Sequence, residues 1–141
     1  MYNRILVAVD GSKMGLKALN SAIQFAKERY SKIGVIHVEK NLRIPETIPN
    51  ESIDEIYKAL REEGNEILDH AVALAAEEGI EIEPIYVFGD PAIQIVKKAE
   101  KENYQLIVMG SRGLGNFKKL MLGSVSQRVS QLSHCPVLII K

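Results

Sequence analysis

The chain has 141 residues, 46% apolar and 26% charged, with 18 Lys and Arg against 18 Asp and Glu and one cysteine. That length suggests one domain, residues 1–141, able to bury a core without disulfides or metals. The balanced charge lacks a nucleic-acid binder's basic excess, no apolar run can span a bilayer, and the lone Cys135 forms no internal disulfide. A reducing, cytoplasmic location is expected, with neither nucleic acid nor membrane as partner.

The opening "MYNRILVAVDGS" enters structure almost at once, without a signal-peptide apolar core. The Ile- and Val-rich run 5–9 predicts a first strand. Leu16, Leu19, Ile23, Ala26 and Tyr30 then recur at steps of three and four, the stripe of a helix. Run 33–38 predicts the second strand. The stretch 39–50 holds two prolines and no periodicity, and reads as a surface loop. Ile53, Ile56, Leu60, Ile67, Ala71 and Leu74 mark a longer helix, with Ser52 and Glu55 as a capping box and Gly79 as its stop. Run 82–87 predicts the third strand. Its Pro84 lacks a ladder donor, which suits an edge or irregular strand. Asp90 and Pro91 read as N-cap and first helical residue, ahead of Ala92, Ile95 or Val96, and Ala99. Run 106–109 is the fourth strand, Leu122, Val125, Val129 and Leu132 the last helix, and 137–140 the last strand.

Strand runs without strict alternation suit a sheet covered on both faces. Alternating strands and helices with right-handed crossovers predict an open doubly wound five-stranded parallel sheet. Ligands of such sheets bind at the carboxyl ends of the strands, where strand order reverses. Three loops should meet there: residues 9–15, the turn after Val38, and the segment from Met109.

The third loop carries "GSRGLGNFKKLMLGSVS". It is not a P-loop, because Asn116 and Phe117 follow Gly115 where Lys and Ser or Thr are needed. Nor does "DGSKMG" have dinucleotide-binding spacing. What remains is Gly110-x-x-Gly113, nine residues, then Gly123-Ser124 opening a helix. Free amides at a helix start favour anions. Ser124 and Ser126 would add hydroxyl donors, and Lys118 and Lys119 lie in the intervening loop. Gly115 falls outside the motif and reads as a plain loop glycine.

This spacing resembles the ATP-binding motif of universal stress proteins. "ILVAVDGS", "IHVEK", "LIVMGSRG", "LMLGSVS" and "HCPVLII" resemble that family over essentially the whole chain. The resemblance implies a Rossmann-like, usually dimeric fold, and the intact glycine motif places the chain with the nucleotide-binding branch. By the same resemblance, Asp10 and Val38 line the adenine and ribose side, with Ala8 beside the base. Met109, Gly110 and Gly113 follow the ribose and phosphates, while Gly123, Ser124, Val125 and Ser126 cradle the phosphates. Arg112 stands where the family varies, often with histidine.

The remaining signals are plainer. Asp10 can also order its own turn, and Ser124 can serve as an N-cap. His37, His70 and His134 show no metal-ligand spacing, and Cys135 reads as a small buried hydrophobe. No catalytic constellation stands out, and no acidic residue ends the fourth strand. The expectation is an ATP-binding, nucleotide-responsive signalling module, with Mg2+ or Mn2+ held mainly by the phosphates and little or slow hydrolysis. The alternatives are a slow ATPase or phosphotransferase, or a scaffold for another adenylate such as AMP or cyclic AMP. The apolar last strand invites antiparallel pairing into a homodimer, with Val137 and Ile139 on one face and Leu138 and Ile140 on the other.

Overall fold

The computed structural model describes residues 2–113 and 122–141. In chain order these form β1 (Arg4–Ala8), α1 (Lys13–Arg29), β2 (Lys32–Glu39), α2 (Asn50–Glu77), β3 (Ile82–Phe88), α3 (Pro91–Lys101), β4 (Leu106–Gly110), α4 (Ser124–Leu132) and β5 (Val137–Ile140). The strands make one parallel sheet in the order β3-β2-β1-β4-β5. All five residues of β4 are buried, as its unbroken apolar run requires of a strand covered on both faces. Pro84 sits on β3, an edge strand, where a missing donor costs least.

The two helical layers separate cleanly. Leu19, Ile23 and Ala26 of α1 and Leu68, Ala71 and Ala75 of α2 pack with Ile5, Val7 and Val35 on one face. Ala92, Ile95 and Ala99 of α3 and Val129 of α4 pack with Leu6, Ile36, Ile107 and Met109 on the other. Helix ends follow local chemistry. The Ser12 hydroxyl accepts from the Gly15 N–H at 3.1 Å, and Asp90 accepts from the Ile93 N–H at 3.0 Å ahead of Pro91. Gly79, at φ +74°, closes α2. Its N–H donates to Ala76 O, and the Ile80 N–H reaches back to Ala75 O at 2.9 Å.

Several sequence expectations are corrected. The Ser52–Glu55 capping box does not form: the Pro49 carbonyl already accepts from the Ser52 and Ile53 N–H groups, so α2 starts earlier and Ser52 lies inside it. Tyr30 is not part of the α1 stripe. It caps the helix in a left-handed conformation and is 93% exposed. Leu122 precedes α4, and both it and Leu132 are exposed, because this nine-residue helix at the edge of the sheet buries only Ser126 and Val129. Val9 falls just outside β1, although its N–H still donates to Ile36 O at 3.0 Å. Cys135 is half-buried against the α3/α4 core.

Candidate functional site

Strand order reverses between β1 and β4, since β2 and β3 continue to one side of β1 and β4 and β5 lie on the other. A cavity of about 420 Å3 opens at the carboxyl ends of the central strands. Ala8 and Asp10 after β1, Val38 on β2, Met109 and Gly110 on β4, Arg112 and Gly113 beyond it, and Gly123, Ser124, Val125 and Ser126 at the start of α4 all line it. The structure thus gathers all eleven sequence-predicted residues around one space. Gly115, Lys118 and Lys119 lie outside the described residues.

Sequence reasoning missed Glu39 at the end of β2, Lys40 and Leu42 beyond it, and Pro91 and Ile95 of α3. The stretch 39–50 has no periodicity to place its side chains, so Lys40 and Leu42 gave no signal. Pro91 and Ile95 were visible only as helix residues. Ile36, Val38, Ile95 and Met109 continue the α3/α4 core into the cavity and give it an apolar floor.

The polar wall is the beginning of α4. Its N-cap is Gly123, which has no side chain to cap with. The Gln127 N–H is the first to find an intrahelical carbonyl, that of Gly123 at 3.0 Å, so the amides of Ser124, Val125 and Ser126 precede the helical ladder. The expectation of Ser124 as N-cap is therefore corrected: it is the first helical residue, exposed at the cavity. The Ser126 hydroxyl is corrected too. It is buried and has one proton, shared between Ser111 O at 2.8 Å and Gly123 O at 3.0 Å. With the Gly123 N–H donating to Ser111 O at 2.7 Å, the Ser126 hydroxyl latches the two ends of the glycine segment together and has no proton left for a ligand.

The motif glycines are small for different reasons. None has a positive φ; among the described residues the glycines that do are Gly11, Gly79 and Gly89. A Cβ at Gly110 would lie 2.8 Å from Met14 Cβ and 3.1 Å from Met14 backbone atoms, so this glycine seats α1 on the sheet. At Gly123 a Cβ would press on Arg112 Cα at 3.3 Å and Ser111 O at 3.4 Å, inside the latch. At Gly113 it would fall closer than 3.0 Å to Asp10 Oδ2, inside the cavity. Asp10 orders its own turn, accepting from the Ser12 N–H at 3.0 Å through Oδ1, and leaves Oδ2 beside Gly113.

Charges are sparse. Asp10 and Glu39 stand with Lys40 and Arg112 around the cavity. Ahead of Pro91, Asp90 is held below the usual carboxylate range by the Ile93 N–H and then by Arg128, whose Nη1 reaches Oδ1 at 2.9 Å and ties the start of α3 to α4. Burial, and then Glu39, push the Tyr86 hydroxyl up. No group of three His, Cys, Asp or Glu side chains placed to hold a metal occurs among the described residues. No described helix is long and apolar enough to cross a membrane.

An open doubly wound sheet with an uncapped helix start facing its switch-point cavity defines a Rossmann-like α/β domain. The chain belongs to the universal stress protein family, whose model matches residues 1–141. It is 43% identical to the universal stress protein YxiE of Bacillus subtilis, covering 100% of both chains. A universal stress protein in complex with cAMP is similar in structure, at a TM-score of 0.76 and 30% identity over 99% of this chain and 97% of that one. So is the universal stress protein of Archaeoglobus fulgidus in complex with dAMP, at 0.69 and 27% over 99% and 98%.

Proposed function

We propose that this universal stress protein binds ATP in the switch-point cavity and acts as a nucleotide-responsive binding module in the cytoplasm. The observation that carries the reading is the uncapped start of α4 facing a cavity with an apolar floor. Backbone amides there attract phosphate, and an apolar floor accepts a flat base. The base lies against Ala8, Val38 and Met109, the ribose near Asp10 and Gly113, and the phosphates toward residues 123–126. The Ser126 contribution is its amide. A divalent ion is held mainly by the phosphates, with Asp10 as the nearby carboxylate. The cAMP and dAMP complexes of relatives support an adenine nucleotide, and favour a second reading in which the ligand is a monophosphate such as AMP.

Calorimetric titration with ATP, AMP and adenosine tests both readings. ATP binding more tightly than AMP supports the first, AMP matching or exceeding ATP supports the second, and no binding of any of the three refutes both. Arg112 is half-exposed at the cavity, so its attraction to phosphate is modest. Arg112→Gln should weaken ATP about twofold to fivefold and leave adenosine unchanged, as expected of a solvent-screened charge worth at most ~1 kcal/mol. Equal weakening of both ligands would place its effect on the fold.

The module is proposed to be a homodimer through β5. Among the described residues this strand pairs only with β4, and Leu138 is 41% exposed while Val137 and Ile139 pack inward. Pro136 O accepts from the Ile107 N–H and Ile140 O from the Ser111 N–H just past β4, so the alternate residues Val137 and Ile139 turn their backbone groups to the open edge. Ile139→Pro removes an outward donor while sparing the β4 ladder. Light scattering should find twice the chain mass for the wild type and a shift toward monomer in the variant. A monomeric wild type at tens of micromolar contradicts the dimer.

A further inference from the structure

His37 is the one imidazole buried among the described residues, and the nucleotide reading gives it no task. Its side chain lies on the α1/α2 face of the sheet. Nδ1 is 3.0 Å from Val9 O, and since a carbonyl only accepts, Nδ1 carries the proton. The ring is confined on its other sides. Nε2 is 3.7 Å from Glu39 Oε1, the Tyr86 ring lies 5.9 Å away centre to centre, and Gly64 of α2 closes in from above, where a Cβ would run into the Tyr86 ring and lie 3.1 Å from His37 Cδ2.

What the ring holds is the point where β1 and β2 part. Ladder pairing ends at Ala8 with Ile36, and the Val9 N–H makes one more bond, to Ile36 O. In a parallel ladder the next rung would run from the Val38 N–H to Val9 O. That rung is absent, and the Val9 carbonyl accepts from the imidazole. Because Ile36 turns its polar groups toward β1, Val38, two residues on, does the same. Its N–H therefore faces the opening between Ala8, Asp10 and the β2 end, which is the cavity wall.

We infer that His37 is a positioning residue: by occupying the Val9 carbonyl it ends β1–β2 pairing one rung early and holds open the base side of the cavity. Without it the Val9 carbonyl and the Val38 N–H pair with each other, and the strands close over that side. The inference rests on the adenine-nucleotide reading for its consequence, but not for its test.

Two measurements need no ligand. In the wild type, nitrogen NMR of the neutral His37 ring should place the proton on Nδ1, and the Val38 amide should exchange with solvent far faster than that of Ile36. His37→Leu should slow Val38 exchange about tenfold or more, because a hydrogen-bonded strand amide opens less often. His37→Asn, whose side-chain amide keeps a donor near the Nδ1 position, should retain fast exchange. Both ATP and adenosine should then bind His37→Leu more weakly by the same factor, about fivefold to tenfold, and His37→Asn should recover most of that. A residue that merely stabilised the fold would not speed or slow one amide in this direction. A neutral ring protonated on Nε2, or a wild-type Val38 amide as protected as Ile36, overturns the inference even where His37→Leu does not fold. If the wild type binds neither ligand, the nucleotide reading fails and these two measurements still decide the role of His37.

Discussion

Gly113→Val is expected to weaken nucleotide binding about a hundredfold while leaving the domain folded. The added Cβ falls closer than 3.0 Å to Asp10 Oδ2, and Asp10 cannot swing aside without surrendering the Ser12 N–H held at 3.0 Å by Oδ1. Either the carboxylate leaves its place or the 111–113 segment moves away from it. Hydrogen bonds to a charged group are each worth about 1.5–3 kcal/mol, so losing the carboxylate and narrowing the cavity together reach the hundredfold range. Gly113 is exposed and does not require a positive φ, so folding stability should change by less than about 1 kcal/mol. Calorimetry beside a thermal melt reads both effects. Unchanged affinity would return Gly113 to ordinary loop duty.

Gly110→Val should do the reverse. The residue is buried, and its Cβ would meet the Met14 Cβ and backbone at 2.8–3.1 Å, with no flexible side-chain tip to yield. The first turn of α1 has to lift from the sheet. Overpacking of this kind costs about 1–3 kcal/mol, which lowers Tm by roughly 5–10 °C for a chain of this size. The fraction that folds should bind ATP nearly as the wild type does. A stable Gly110→Val protein without nucleotide affinity would instead show that the missing side chain serves the ligand. The two glycines are three residues apart in one motif, and they separate folding from binding.

The sheet was legible because burial on both faces leaves Ile- and Val-rich runs, and helix stripes mark which side each helix covers. The alternation of elements and the handedness of crossovers implied an open doubly wound sheet, and Pro84 marked its strand for an edge, while the full strand order is visible only in the structure. The place of the cavity was legible because open α/β sheets bind ligands at the carboxyl ends of their strands, and its lining residues came from the resemblance to the universal stress family. Less legible were roles decided by a distant neighbour. Gly110 and Gly113 look alike in the sequence, and only the positions of Met14 and Asp10 tell them apart. Ser126 reads as a spare donor until Ser111 and Gly123 are seen to take its proton. His37 is the one polar side chain in the apolar run 33–38, and nothing local indicates that the Val9 carbonyl awaits it. Tyr30 continued a helical spacing but sits where the chain turns left-handed, a backbone change that periodicity does not report.

The central claim is that the start of α4 is the phosphate seat of an adenine-nucleotide cavity, and amide NMR during titration with ATP and Mg2+ tests it most directly. The account predicts saturable shifts concentrated at Ser124, Val125 and Ser126, at Gly113 and at Val38, with the bottom of the sheet around Arg4 and Tyr104 unchanged. Saturable binding that leaves the Ser124–Ser126 amides unmoved, or no response at millimolar ATP, would contradict it.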